Sequence, residues 1–183
     1  MSMQFDPNVH AKRLTSEVDE FSPILSSLHR RMQRDKLVQS TTYELRNFLQ
    51  VDRVVVYYFY TQWEGRVTFE SLSDEKFSIF GSTGPDQCFN NEYAALYLAG
   101  RVRAIADIQN EPIEDCHRDF LRYLQVKANL VVPILTANGL WGLLIAHQCQ
   151  GSRSWSESEV ELMQAGALAL AEAPSIKIDL QPD

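Results

Sequence analysis

The stretch ANLVVPILTANGLWGLLIAHQC, residues 128–149, constrains the fold more than any other part of the chain. Two apolar runs flank Asn138-Gly139. Asn-Gly is the strongest short-range signal for a tight β-hairpin, because both central residues of the favoured turn must accept φ > 0. Two antiparallel strands follow. Pro133 has no N–H to give a ladder, so the first strand is expected at an edge or with a bulge.

A second hairpin precedes it. DRVVVYYFY, residues 52–60, is β-branched and aromatic and reads as a strand. QWEG reads as a turn, and RVTFES, residues 66–71, as the returning strand. Residues 72–92 hold Gly81, Gly84 and Pro85 and predict a long loop, with a short strand at Phe77–Phe80. Loops of that length in a compact domain are often functional. EYAALYLAG predicts a short helix ended by Gly100, and RAIADI a short strand. EDCHRDFLRYLQ places Phe120, Leu121 and Leu124 at helical spacing, which puts Cys116 near a helix N-terminus.

Helices are expected at both ends. Residues 11–21 suit a helix, and Pro23 suits the first turn of another. From Ile24 to about Gln50 the apolar residues recur at a broadly helical interval. In SWSESEVELMQAGALALAEA, Ser156 and Glu159 form a capping box, and the helix is expected to reach about Ala173. The first ten and last ten residues read as polar or frayed ends. The predicted domains are an extension over 1–23, a folded unit over 24–173 and a tail over 174–183. Hairpin-linked strands with helices at both ends predict an α+β domain on an antiparallel sheet. The terminal helices cover one face, and the loop and short helices enclose a ligand on the other.

The 183 residues suit one domain, and 45% hydrophobic content suffices for a core. The net charge of −7, without a basic stripe, argues against a nucleic-acid surface. No apolar run nears the roughly 20 residues of a membrane span. The N-terminus lacks the apolar core of a secretory signal. Three cysteines, an odd number, do not make a disulfide framework, which points to a reducing cytoplasmic compartment. Neither a metal site nor membrane contact is expected.

Cys116 stands out because EDCHRDF is polar sequence, where a thiol would be reachable. A helix N-terminus with His117 and Arg118 nearby would lower its pKa and favour the thiolate. Cys149 lies in an apolar strand and reads as structural. The loop adds GPDQCF, residues 84–89, with Asp86 two residues before Cys88.

These motifs, with DRVVVYYF, GRVRAIADI, CHRDFL, QVKANLVVPI and LWGLLIAHQC in order, resemble the bilin-binding GAF domains of cyanobacteriochromes, relatives of phytochromes. The Asp86-Gln87-Cys88-Phe89 run resembles the Asp-X-Cys-Phe subgroup. The resemblance covers about residues 24–173. It implies a GAF fold and a covalent linear tetrapyrrole, phycocyanobilin or its isomer phycoviolobilin. Cys116 would hold ring A by a thioether. Cys88 would add reversibly to the central methine bridge, and Asp86 would accept pyrrole N–H bonds. His117 would pack on the tetrapyrrole, and Tyr93 would lie near ring D, with Tyr97 four residues on along the same helix face. Arg101, then Arg103, would meet a propionate, and His147 or Gln148 would reach ring D or a propionate. Tyr58 stands where the family often has arginine.

The implied function is a photoreceptor domain that switches between a violet/blue-absorbing 15Z state and a green-to-orange 15E state. It would not be an enzyme beyond attaching and isomerising its own bilin. It would signal to a histidine kinase, cyclase or chemoreceptor output domain elsewhere, and the terminal helices would mediate a homodimer. Two rivals remain at this level: a GAF-type free methionine sulfoxide reductase using the cysteines, and a non-covalent small-molecule sensor. Asp86 after Pro85 also suits a plain turn, and Tyr93 and Tyr97 also suit a core.

Overall fold

A computed structural model describes residues 23–84 and 91–177. The helix expected over residues 11–21 lies outside them. Helix α1 covers residues 23–34, and α2 covers Lys36–Leu49. Sequence periodicity suggests one helical stretch here, but Asp35 divides it. Asp35 adopts an extended conformation as the N-cap of α2, and its Oδ1 accepts from the Leu37 and Val38 N–H groups at 3.1 and 3.4 Å. A carboxylate that satisfies orphan donors in this way starts a helix.

Strand β1 is Arg53–Thr61 and β2 is Glu64–Leu72. A 3₁₀ turn at Glu75–Phe77, capped by Asp74, leads into residues 77–80, where the sequence suggests a short strand and none forms. Among the described residues of this loop, the extended pairing is a bridge between Arg66 and Thr83. Helix α3 is Asn91–Leu98, β3 is Arg103–Ile105 and α4 is Asp115–Tyr123. Strand β4 is Ala128–Thr136, β5 is Gly139–Gln148, α5 is Glu157–Ala171 and α6 is Pro174–Lys177. The capping box at Ser156 and Glu159 forms as expected.

The five strands pair antiparallel in the order β2-β1-β5-β4-β3. The hairpin turn differs from its predicted form. Thr136 pairs with Gly139, so Ala137 and Asn138 form the loop, and the positive φ, +109°, belongs to Gly139 and not to Asn138. Pro133 sits past the end of three-residue β3, where β4 is locally an edge. The register irregularity falls just after it, between Ile134 and Leu135.

Period-2 alternation sorts the strand residues onto two faces. Val54, Val56, Leu130, Val132, Leu144 and Ala146 pack under the helices with Leu28, Met32, Leu45, Met163 and Leu170. Burying each of the valine, leucine and methionine side chains among them contributes roughly 1.5–3 kcal/mol. Tyr58 also faces this side and stacks on Trp141 at 4.8 Å. The described start of the tail, residues 174–177, differs from a frayed end: Ser175 and Ile176 are buried, and the Ser175 N–H donates to Asp35 Oδ2 at 2.8 Å. Among the described residues no helix is long and apolar enough to cross a membrane.

Candidate functional site

The opposite sheet face carries a pocket. Its floor is built from alternate residues: Val55 and Tyr57 of β1, Asn129 and Val131 of β4, and Leu143, Ile145 and His147 of β5. The walls come from Ser82–Gly84, from α3 with Tyr93 and Tyr97, from Arg101 and Arg103, and from α4 with His117, Phe120 and Leu121. The cavity measures about 240 Å³.

Tyr93 and Tyr97 share one face of α3 because they are four residues apart. The Arg101 guanidinium lies over both rings, 5.9 and 6.0 Å from their centroids. Burial pushes the Tyr97 phenol up to about 12, against the opposing charges of Arg101 and Arg103, so it stays protonated and able to donate. Arg103 pairs with Glu111 at 3.5 Å. No carboxylate among the described residues pairs with Arg101, so it is the better placed of the two to meet an acid group of a ligand.

His117 is held neutral. Burial first, then the charges of Arg103 and Arg101, lower its pKa to about 4. A neutral imidazole lends Cys116 no positive charge, which leaves the helix N-terminus and Arg118 as the features that would favour its thiolate. Arg118 does not supply that charge freely either. It donates to the Ile108 and Glu111 carbonyls at 2.9 and 2.7 Å and pairs with Asp115 at 2.8 Å.

Cys116 is not the exposed thiol that its polar neighbours suggest. It is 7% exposed, and its sulfur is in a disulfide. On α4 it shares the inward face with Phe120, four residues on, while Asp115 points to solvent. Its neighbours Glu114 and His117 line the pocket. Cys149 is buried and free, and burial raises its thiol pKa, consistent with a structural role. Asp86 and Cys88 lie outside the described residues.

The two candidates on β5 separate. His147 faces the pocket, whereas Gln148 does not line it. Successive side chains of a strand point to opposite faces, so only one of the pair can serve. Gln148 shares the side of β5 taken by Ala146, so of the two expected candidates His147 is the one that lines the pocket.

Two functional-site residues escaped sequence reasoning. Arg53, 1% exposed, donates from Nε to His147 Nδ1 at 2.9 Å, from one terminal nitrogen to the Phe77 carbonyl at 2.8 Å and from the other to the Leu124 carbonyl at 2.6 Å. Burial, reinforced by the Arg53 charge, holds the His147 pKa well below its ordinary value. Asn129 is 3% exposed, and its Oδ1 is buried without a hydrogen-bond partner. The available signals were a charge opening an apolar strand in DRVVVYYF and an amide inside the apolar run of KANLVVPI. Among the described residues no cluster of His, Cys, Asp and Glu is suited to hold a metal.

Residues 33–173 match the GAF domain family. An uncharacterized protein of Picosynechococcus sp. is 49% identical over 144 residues, which cover 79% of this chain and 88% of that protein. A putative methyl-accepting chemotaxis protein of Synechocystis sp. is 44% identical over 119 residues, 65% of this chain but only 12% of that protein. The blue-light-absorbing form of the Thermosynechococcus elongatus PixJ GAF domain superposes with a TM-score of 0.68 at 35% identity, covering 80% of this chain and 88% of that one. A phycocyanobilin-bound GAF domain from a cyanobacterial phytochrome gives a TM-score of 0.65 at 30% identity, covering 81% and 94%. The five-stranded antiparallel sheet with helices on one face, the pocket on the other and the match across 33–173 lead to one conclusion: this chain belongs to the GAF domain family.

Proposed function

We propose that this domain is a photosensor that carries a covalently bound linear tetrapyrrole. The observation that carries the reading is the pocket wall: Arg101, without a carboxylate partner among the described residues, lies over Tyr93 and Tyr97 beside neutral His117. A linear tetrapyrrole has flat apolar faces, two carboxylates and a row of N–H and C=O groups. The tyrosine rings suit the faces, Arg101 suits a carboxylate by its donor fork, and the partnerless Asn129 oxygen suits an N–H group. The cavity, about 240 Å³, falls just short of the usual ~300–1,000 Å³ for ligand pockets. A tetrapyrrole therefore enters with movement of the lining side chains.

Bound, the tetrapyrrole supplies visible absorption and a light-driven Z/E change at the double bond between rings C and D. Cys116 anchors ring A through a thioether, which requires it as a thiol. Cys88 is the reversible second linkage of an Asp-X-Cys-Phe cyanobacteriochrome, separating a violet/blue 15Z state from a green-to-orange 15E state. Asp86 accepts pyrrole N–H bonds. The pigment is phycocyanobilin or phycoviolobilin. The sensory unit spans 24–173, works in the cytoplasm, pairs as a homodimer through its terminal helices and drives an output domain. The 44% identical relative is a putative chemotaxis protein of which this match spans 12%, which supports such an arrangement.

The deciding experiment is expression in cells that make phycocyanobilin. Coloured protein with zinc-induced fluorescence on a denaturing gel, lost in Cys116→Ala, is expected. Colourless wild-type protein overturns the proposal.

A further inference from the structure

The two arginines that line the pocket differ in what they already hold. Arg101 lies over the Tyr93 and Tyr97 rings, and no carboxylate among the described residues pairs with it. Arg103, in β3, has a carboxylate partner: its Nη2 is 3.5 Å from Glu111 Oε1, and both side chains are partly buried.

The backbone fixes Glu111 at both of its polar groups. Its N–H donates to the Asp107 carbonyl at 3.1 Å. Its own carbonyl accepts the Ile113 N–H at 2.9 Å and Arg118 Nη2 at 2.7 Å. The Arg118 guanidinium also donates to the Ile108 carbonyl and pairs with Asp115, so it braces this turn against α4. Asp107 closes the turn from the other end, accepting the Gln109 N–H and the Asn110 amide. The Glu111 carboxylate therefore meets Arg103 from a braced turn. Glu114, three residues on, lines the pocket, and its side chain does not cap α4. A second carboxylate thus stands on the same wall.

An acid group that approaches Arg103 must displace a carboxylate already there, whereas one that approaches Arg101 need not. We propose that Glu111 is a specificity-determining residue that withholds Arg103 from ligand carboxylates, so that the pocket takes in one acid group, at Arg101, and turns a second one away. This inference rests on the tetrapyrrole reading, because that pigment brings two acid groups. A partly exposed ion pair changes affinity by up to about fivefold, which sets the size of the effect.

The test compares phycocyanobilin, which has two free carboxylates, with its two monomethyl esters and its dimethyl ester. Attachment to Cys116 is followed by absorbance with a dithiol reductant present, and the half-saturating pigment concentration is read separately from the limiting rate. In the wild type, one monoester should behave like the diacid and the other like the diester. Two monoesters equally weaker than the diacid overturn the single-acid rule, and this arm needs no variant. Glu111→Gln removes the charge and keeps the backbone bonds. It is expected to lower the half-saturating concentration of the diacid about fivefold, acting on that concentration rather than on the limiting rate, and to affect the diester much less. Adding Arg103→Gln should cancel the gain. No gain with the diacid, an equal gain with diacid and diester, or a gain that survives Arg103→Gln overturns the role of Glu111. Wild-type protein that stays colourless with every pigment overturns the tetrapyrrole reading instead.

Discussion

The Tyr57 hydroxyl accepts the Gly84 backbone N–H at 2.8 Å, and a Cβ placed on Gly84 would lie 2.4 Å from that same oxygen. One tyrosine on the pocket floor therefore holds the loop against the sheet, and only glycine permits the approach. Gly84→Ala is expected to cost roughly 1–3 kcal/mol through overpacking. Tyr57→Phe leaves a buried N–H without its acceptor, at a cost of about 1–3 kcal/mol. Urea unfolding of the two variants checks both figures. Wild-type midpoints would remove Tyr57 from this role.

Asp35 links the acid limit of stability to the helix break. Burial pushes its carboxyl up, but bonds from Ser175, Val38 and Leu37 outweigh that and hold it below the usual carboxylate range. The unfolded chain takes up the proton first. Its contribution is therefore complete above about pH 4 and fades as the pH falls through the lower folded value. Asp35→Asn should lose about 0.5–2 kcal/mol at neutral pH, as for a weakened cap. It should also flatten the acid limb in denaturation curves taken between pH 2 and 6.

His117 acts in a higher window. Its folded pKa is about 4, below the ordinary 6.5, because of burial and two arginines. Between those values the unfolded chain binds a proton that the folded chain does not. Stability of the ligand-free domain should then drop as pH falls from about 6.5 to 4, with up to about 1.4 kcal/mol per pH unit from this residue. His147 is depressed in the same direction, so His117→Gln should reduce the slope without abolishing it. Thermal melts across the window test this, and an unchanged slope in His117→Gln would refute it.

Covalent loading should depend on reduction, since Cys116 is in a disulfide and a thioether needs its thiol. Oxidised protein mixed with phycocyanobilin should stay unlabelled until a dithiol reductant is added. Labelling at equal speed without reductant would show that the disulfide does not limit attachment.

Cys88→Ala should retain the pigment and lose the violet/blue state. Iodoacetamide applied in the long-wavelength state should reproduce that loss in wild-type protein. Difference spectra under alternating illumination give the answer, and a surviving violet/blue band would rule out the second linkage.

The strands were legible because alternation and β-branching act locally. DRVVVYYFY and the Asn-Gly hairpin appear as strands within a residue or two of their expected ends. Asp35 was not legible as a break, because the donor that completes it comes from Ser175, 140 residues away. In the pocket, Tyr93, Tyr97, Arg101, His117 and His147 arrived through motif resemblance and meet there. Arg53 and Asn129 did not, because their roles arise from strand register, which fixes neighbours only once the sheet order is known. The choice between His147 and Gln148 was not legible without the sheet order, since a strand turns consecutive side chains to opposite faces and only its packing tells which face holds the pocket.

The bond between Asp35 and Ser175 ties the junction of α1 and α2 to the last described helix. Ile176 of α6 also packs into the same core as Leu28 and Met32 of α1, so a carboxylate and an apolar contact join the two helices. The first and last described helices are thereby held as one unit, and a change that loosens the Asp35 bond would loosen both of them together.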